Sequence, residues 1–221
     1  MTTFVLVHGA WAGAWGWDKV AERLRGAGHR VHVPTLSGLG ERSHLAAYPI
    51  TLTDHVNDVV NEMIWHDLTE VVLVGHSYGG IVITGVAERA ADRIASIVYL
   101  DAFIPADGQS FEDFFGEKFT GPLTPVPDGG EDDYATKAEG ARVVALSTPQ
   151  PTGTFTERLK VTGAYLNIAR KTYILATGWD GFGGIAAPLR NDPAWSVHEL
   201  PCGHDVPLLL PVELAELLEQ A

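Results

Sequence analysis

Cysteine is almost absent from this chain. Cys202 is the only one, so no intrachain disulfide forms, and a reducing compartment is compatible with that. Positive charge is also scarce: 15 Lys and Arg face 28 Asp and Glu, a formal net charge of −13. That balance argues against nucleic acid and anionic membrane surfaces as partners and leaves small neutral ligands open. No apolar run approaches the length needed to cross a bilayer. The first strand-like run, Phe4 to Val7, begins too early to leave room for a signal segment, so the expectation is a cytoplasmic protein without membrane attachment. The nine histidines include no pair with metal-ligand spacing beside carboxylates, so neither a metal nor a cofactor is expected.

With 46% hydrophobic and 19% charged residues among 221, the composition suits one folded domain with a sizeable core. Its most informative stretch is Val71-Val72-Leu73-Val74-Gly75-His76-Ser77-Tyr78-Gly79-Gly80. A β-prone apolar run enters a Gly-x-Ser-x-Gly, and a helix-compatible run follows. This is the pattern of a nucleophile elbow, a sharp strand-to-helix turn that leaves the serine hydroxyl exposed. Gly75 and Gly79 are small because side chains there would meet neighbouring backbone.

Around it, strand and helix patterns alternate. Thr3–Val7, Arg30–Pro34, Val71–Val74, Ile94–Leu100, Lys171–Ala176 and Trp195–Leu200 read as strands. Amphipathic helices fall between them, one of them capped by Thr53 or Asp54, and a last helix starts at Pro211. Alternation of this kind predicts an α/β fold, a mainly parallel sheet with helices on both faces. Between about residues 103 and 170 it breaks. That region is rich in Pro, Gly and Phe and reads as a small, mainly helical insertion, a lid over the sheet's C-terminal edge, within a single domain of residues 1–221.

Ligands of such sheets sit at the carboxyl ends of the strands, where Ser77, Asp101, Asp180 and His204 all fall. A serine hydroxyl needs a base, histidine suits that role, and the base needs an orienting acid. His204 is the candidate base, and its need to be neutral predicts that turnover falls on acidification. Two candidates remain for the acid. Asp101 ends an apolar strand, a costly place for an unpartnered carboxylate, and is slightly favoured. Asp180 follows the next strand, although Asp180-Gly181 is also an ordinary turn signal. The oxyanion donors expected are the backbone N–H groups of Tyr78 and Ala10. Trp11, Tyr78, Phe103 and Ile104 are candidates for the pocket border. His8 and His76 flank the site in structural roles.

The stretches Phe4–Ala10, Gly13–Trp17, Gly28–Val31, the elbow, Val98–Pro105 and Gly203–Asp205 resemble the α/β-hydrolases of the plant methylesterase and hydroxynitrile lyase group and small bacterial esterases. The resemblance implies Ser77 as nucleophile, His204 as base, Ala10 and Tyr78 as oxyanion donors, and a homodimer. Relatives in that group usually carry the acid after the strand matching Tyr173–Ala176, and Asp180 sits about one position late for it. Some haloalkane dehalogenases carry it where Asp101 stands.

The activity expected is therefore cofactor-independent hydrolysis of carboxylic esters, small lipophilic or aryl ones. Hydroxynitrile lyase chemistry fits less well, because the related lyases have a threonine and a lysine where Gly9 and Asp205 stand. Haloalkane dehalogenase chemistry needs an aspartate at Ser77. A small-molecule binding protein or receptor on a hydrolase fold is the reading from another class, and ester turnover is what separates it from an enzyme.

Overall fold

A computed structural model describes residues 1–116, 118–127 and 134–221. Six parallel strands form one sheet in the order β2-β1-β3-β4-β7-β8: β1 (Thr3–Val7), β2 (Arg30–His32), β3 (Val71–His76), β4 (Ile94–Leu100), β7 (Arg170–Ala176) and β8 (Ser196–Leu200). The register pairs Leu73 with Ile97 and Tyr99 with Tyr173.

Successive strand residues point to opposite faces, and both faces are covered. Val5, Val7, Leu73, Ile97, Tyr99 and Tyr173 pack with α2 (Leu52–Trp65) and α3 (Gly79–Ala90). Phe4, Leu6, Val72, Val74, Val98 and Ile174 pack with α1 (Asp18–Gly26) and α9 (Pro211–Leu218). Burial on both faces explains why the strands read as unbroken apolar runs rather than alternating ones.

Two boundaries differ from the expectation. Thr51, not Thr53 or Asp54, caps α2, and its N–H donates to Asp54 Oδ2 at 2.8 Å in a capping box. The second strand stops at His32 because β1 pairs with only three of its residues.

Between β4 and β7 the described residues carry α4 (Phe111–Phe115), β5 (Leu123–Thr124), α5 (Lys137–Leu146), β6 (Gln150–Pro151) and α6 (Gly153–Thr156). Residues 117 and 128–133 of the expected insertion lie outside the described residues. Phe111, Phe114, Phe119 and Phe155 join the core on the α2–α3 face, so this segment is packed onto the sheet through aromatic side chains. α7 (Gly183–Leu189) and α8 (Val206–Leu209) complete the chain order.

Candidate active site

β3 ends at His76, and Ser77 turns the chain with φ +53°, a left-handed conformation rarely adopted by residues other than glycine. Two close approaches impose it. A Cβ on Gly75 would stand 2.5 Å from the Gly79 carbonyl oxygen, and one on Gly79 would stand 2.8 Å from that of Val7. The glycines therefore let β3, α3 and β1 crowd together under the serine, as the Gly-x-Ser-x-Gly spacing predicts. The N–H of Ser77 donates to the Leu100 carbonyl at 3.1 Å, which ties the turn to the end of the neighbouring strand.

At that neighbouring end, Asp101 makes a second left-handed turn, φ +40°. Its N–H donates to the Ile174 carbonyl at 2.7 Å. The side chain is fully buried and accepts three hydrogen bonds: Ala176 N–H to Oδ1 at 3.0 Å, Trp179 Nε1–H to Oδ2 at 2.7 Å, and His204 Nδ1–H to Oδ2 at 2.6 Å. Because a carboxylate can only accept, Nδ1 of His204 carries the proton, and Nε2 is free to face Ser77 Oγ at 2.9 Å. Ser77, His204 and Asp101 thus form one hydrogen-bonded row across three loops.

Asp180 is not part of that row. Trp179 turns inward to reach Asp101, and Asp180 beside it is exposed. The indole was missed in the sequence because nothing in a Gly-Trp-Asp-Gly loop distinguishes an inward ring from a surface one. The usable signal was that an indole at the catalytic edge needs an acceptor for its N–H.

A cleft of about 600 Å³ opens over Ser77 and His204, walled by Ala10, Trp11, Trp15, Tyr134, Val143 and Trp179 among others. Trp11 is one of the lining residues. Tyr78, Phe103 and Ile104 do not line the cleft. The Tyr78 ring is buried below the floor, donating its hydroxyl to His55 Nδ1 at 2.9 Å, and burial raises its phenol well above the ordinary range. Phe103 is drawn under α3, where it meets Phe111 and Phe114, and Ile104 packs against the same cluster.

The loop after β1 lies against the serine: a Cβ on Gly9 would be 3.2 Å from Ser77 Cβ. Trp11 in that loop is itself left-handed, φ +57°. Its N–H donates to Gln150 Oε1 at 3.0 Å, and its carbonyl accepts from Thr148 N–H at 2.9 Å. Gln150 is fully buried and donates onward to Thr154 Oγ1 at 2.7 Å. The segment between β4 and β7 thus clamps the loop beside Ser77, a role no sequence pattern announced.

Three buried histidines surround the site as neutral groups. His8 donates from Nδ1 to the Gly9 carbonyl at 2.8 Å and accepts from Leu36 N–H at 3.0 Å. His55 donates from Nε2 to the Ser37 carbonyl at 2.8 Å. Burial lowers each to about 4. His76, lowered to about 4 by burial and by His204, donates from Nε2 to the His204 carbonyl at 2.9 Å. Tyr134 donates its hydroxyl to Asp205, next to His204.

A parallel sheet with a serine on a strained turn after β3, opposite a histidine hydrogen-bonded to a buried carboxylate, defines the class of α/β-hydrolases. A model of the alpha/beta hydrolase family matches residues 4–217, and the chain belongs to that family. It is 41% identical to a carbendazim hydrolyzing esterase of Nocardioides sp. (strain SG-4G), over 99% of this chain and 98% of that protein. Methylesterase 2 of Arabidopsis thaliana is 35% identical over 55% of this chain and 47% of its own length. Among solved structures, an extracellular α/β-hydrolase from a Paenibacillus species, described as sharing structural and functional homology with tobacco salicylic acid binding protein 2, superimposes with a TM-score of 0.85. It is 28% identical and is covered to 99%, over the whole of this chain.

Proposed function

We propose that this chain is a carboxylesterase in which Ser77 is the nucleophile, His204 the base and Asp101 the acid. The single observation that carries the reading is the row Ser77 Oγ to His204 Nε2 at 2.9 Å and His204 Nδ1 to Asp101 at 2.6 Å, on the floor of an aromatic-walled cleft. In the first step Ser77 Oγ attacks the ester carbonyl while His204 Nε2 takes its proton, and Asp101 stabilises the imidazolium that forms. His204 then protonates the departing alcohol. In the second step a water gives its proton to His204 and attacks the acyl-enzyme, which releases the acid and restores Ser77.

The carbonyl oxygen gains charge in both steps and needs donors. The N–H groups of Tyr78 and Ala10 fit that role. Tyr78 opens the turn into α3, Ala10 lines the cleft, and the neighbouring Trp11 N–H is already held by Gln150.

The cleft walls, with Trp11, Trp15 and Trp179, favour small lipophilic or aryl esters. The 41% identity over nearly the whole chain makes carbendazim a substrate to test beside them. The segment of residues 103–170 acts as a lid within one domain of residues 1–221. A cytoplasmic homodimer completes the proposal. Fractionation and sizing test that last part.

Hydrolysis of short p-nitrophenyl esters by wild type and Ser77→Ala tests the mechanism. Turnover is expected to drop roughly 10⁴-fold in a variant that stays folded. Equal turnover would sink the mechanism. A folded wild type inert across ester chain lengths and carbendazim would make a ligand-binding protein the better reading.

A further inference from the structure

His32, Glu62 and His66 are scattered in the sequence and adjacent in the fold. His32 ends the edge strand β2; Glu62 lies in the last turn of α2, and His66 is that helix's C-cap, one turn further on. His32 Nδ1 stands 2.6 Å from Glu62 Oε1, and His66 Nε2 stands 3.4 Å from the same oxygen. The two imidazole rings have centroids 4.9 Å apart, and one donor atom from each of the three residues lies within 4.8 Å of the others. Arg30, also on β2, sends its guanidinium to the His66 carbonyl at 3.3 Å, which leaves Glu62 to the two imidazoles.

We infer that these three side chains form a site for one divalent transition-metal ion, with zinc as the reference. Two imidazole nitrogens and one carboxylate oxygen suit zinc and its neighbours in the first transition row, whereas calcium and magnesium call for oxygen ligands throughout. Zinc holds such atoms at about 2.0–2.1 Å, which puts neighbouring ligand atoms of a tetrahedron about 3.4 Å apart. The Glu62–His66 spacing of 3.4 Å already has that value, whereas the His32–Glu62 contact of 2.6 Å must open by roughly 0.8 Å, a rotamer change at His32, when the ion displaces the proton between them. α2 fixes two ligands, because residues four apart share one helix face. β2 supplies the third. The His66 side chain is 51% exposed, so a fourth position opens to water on its side.

The consequence is a clip at the sheet margin. β2 is three residues long and pairs only with β1 in the sheet. An ion shared with α2 fastens that short edge strand to a helix of the core. A net charge of −13 adds a general attraction for cations. None of the three residues lines the cleft over Ser77, so the site is separate from the hydrolytic one.

Tag-free protein stripped with a chelator and then titrated with zinc chloride in a calorimeter tests this, with cobalt absorption as a second readout. The wild type should take up one zinc at this site and melt at a higher temperature with the ion than without. His66→Ala and Glu62→Gln should each weaken binding by at least roughly 10- to 100-fold, the range seen for losing even an outer-shell partner of a metal ligand. Neither should gain in melting temperature. His44→Ala, at an exposed histidine elsewhere, should bind as wild type does. Because His66 is half exposed, its variant is expected to fold, and Glu62→Gln keeps the side-chain shape. No zinc uptake by the wild type, or equal uptake by His66→Ala, Glu62→Gln and wild type, would overturn the site and leave an ordinary histidine–glutamate cluster.

Discussion

The indole N–H of Trp179 and the imidazole N–H of His204 end on the same oxygen of Asp101, at 2.7 and 2.6 Å. The two rings also lie together, with centroids 4.5 Å apart. A carboxylate with no solvent exposure is costly unless several donors reach it, and Trp179 is one of three that do. The same side chain is 40% exposed and lines the cleft. One residue therefore touches both the cleft and Asp101.

Trp179→Phe keeps a ring against His204 and removes the N–H. Loss of a hydrogen bond to a charged group is worth roughly 1.5–3 kcal/mol, so kcat should fall by roughly 10-fold or more while KM for a short ester changes little. Steady-state kinetics separate the two. An unchanged kcat with a raised KM would make Trp179 a pocket wall only.

Asp101→Asn puts an NH2 donor where one carboxylate oxygen accepts, so the side chain can no longer serve Ala176, Trp179 and His204 together and hold the His204 tautomer. Its kcat should fall by roughly 10⁴-fold, the cost of that change in a well-studied triad. Asp180→Asn alters an exposed loop residue and should leave turnover near wild type. Parallel assays of the two variants, each checked by circular dichroism, decide the acid. Greater damage in the Asp180 variant would reverse the assignment.

Gln150→Leu strips Trp11 of the acceptor for its N–H and leaves the left-handed loop beside Ser77 held on one side. Displacing an oxyanion donor costs up to roughly 10²- to 10³-fold in kcat, and an indirect displacement should cost less than that. The Trp11 N–H donor and the Thr154 Oγ1 acceptor, both stripped of this partner, should also lower stability by about 1–3 kcal/mol. Denaturant midpoints and kcat, measured on the same preparation, test both effects. Wild-type values for both would disconnect Gln150 from the loop.

His8 and His55 are lowered by burial to about 4 from an ordinary 6.5. Between those values the unfolded chain binds protons that the folded chain refuses, so stability rises with pH across that window and is lost as pH falls from about 6.5 toward 4. At full effect each histidine accounts for roughly 3 kcal/mol. Denaturant midpoints should therefore drop between pH 7.5 and pH 5, and the drop should shrink in a His55→Gln variant. A midpoint that stays flat would mean that the folded protein accepts protons on both rings as readily as the unfolded chain does.

The architecture was readable because parallel strands buried on both faces leave continuous apolar runs, and the elbow because its glycines answer to close approaches at Gly75 and Gly79. The position of His204 at the strands' carboxyl edge was readable from its place after the last strand. Asp101 and Asp180 could not be separated in one dimension, since which carboxylate meets His204 depends on how the loops after β4 and β7 fold. Phe103 was misplaced for a similar reason: its position after β4 is at the catalytic edge, but the chain folds back under α3. Gln150 sits in a segment without periodicity, and its partner Trp11 is remote in sequence. The grouping of His32 with Glu62 and His66 exists only once β2 lies beside α2.

Asp101 stands at the end of β4, ahead of the segment that supplies Tyr134 and Val143 to the cleft wall, and Ser77 stands at the end of β3 beside it. The serine and its carboxylate are therefore inherited as one continuous piece of chain, folded onto adjacent strands and locked by the Ser77 N–H bond to Leu100. The chain beyond Phe103, whose N–H donates to the Ser77 carbonyl at 3.3 Å, can be exchanged up to β7 without removing either group. For anyone reshaping the cleft, this places the exchangeable part of the molecule between Asp101 and His204, provided that its replacement returns an acceptor to Trp11.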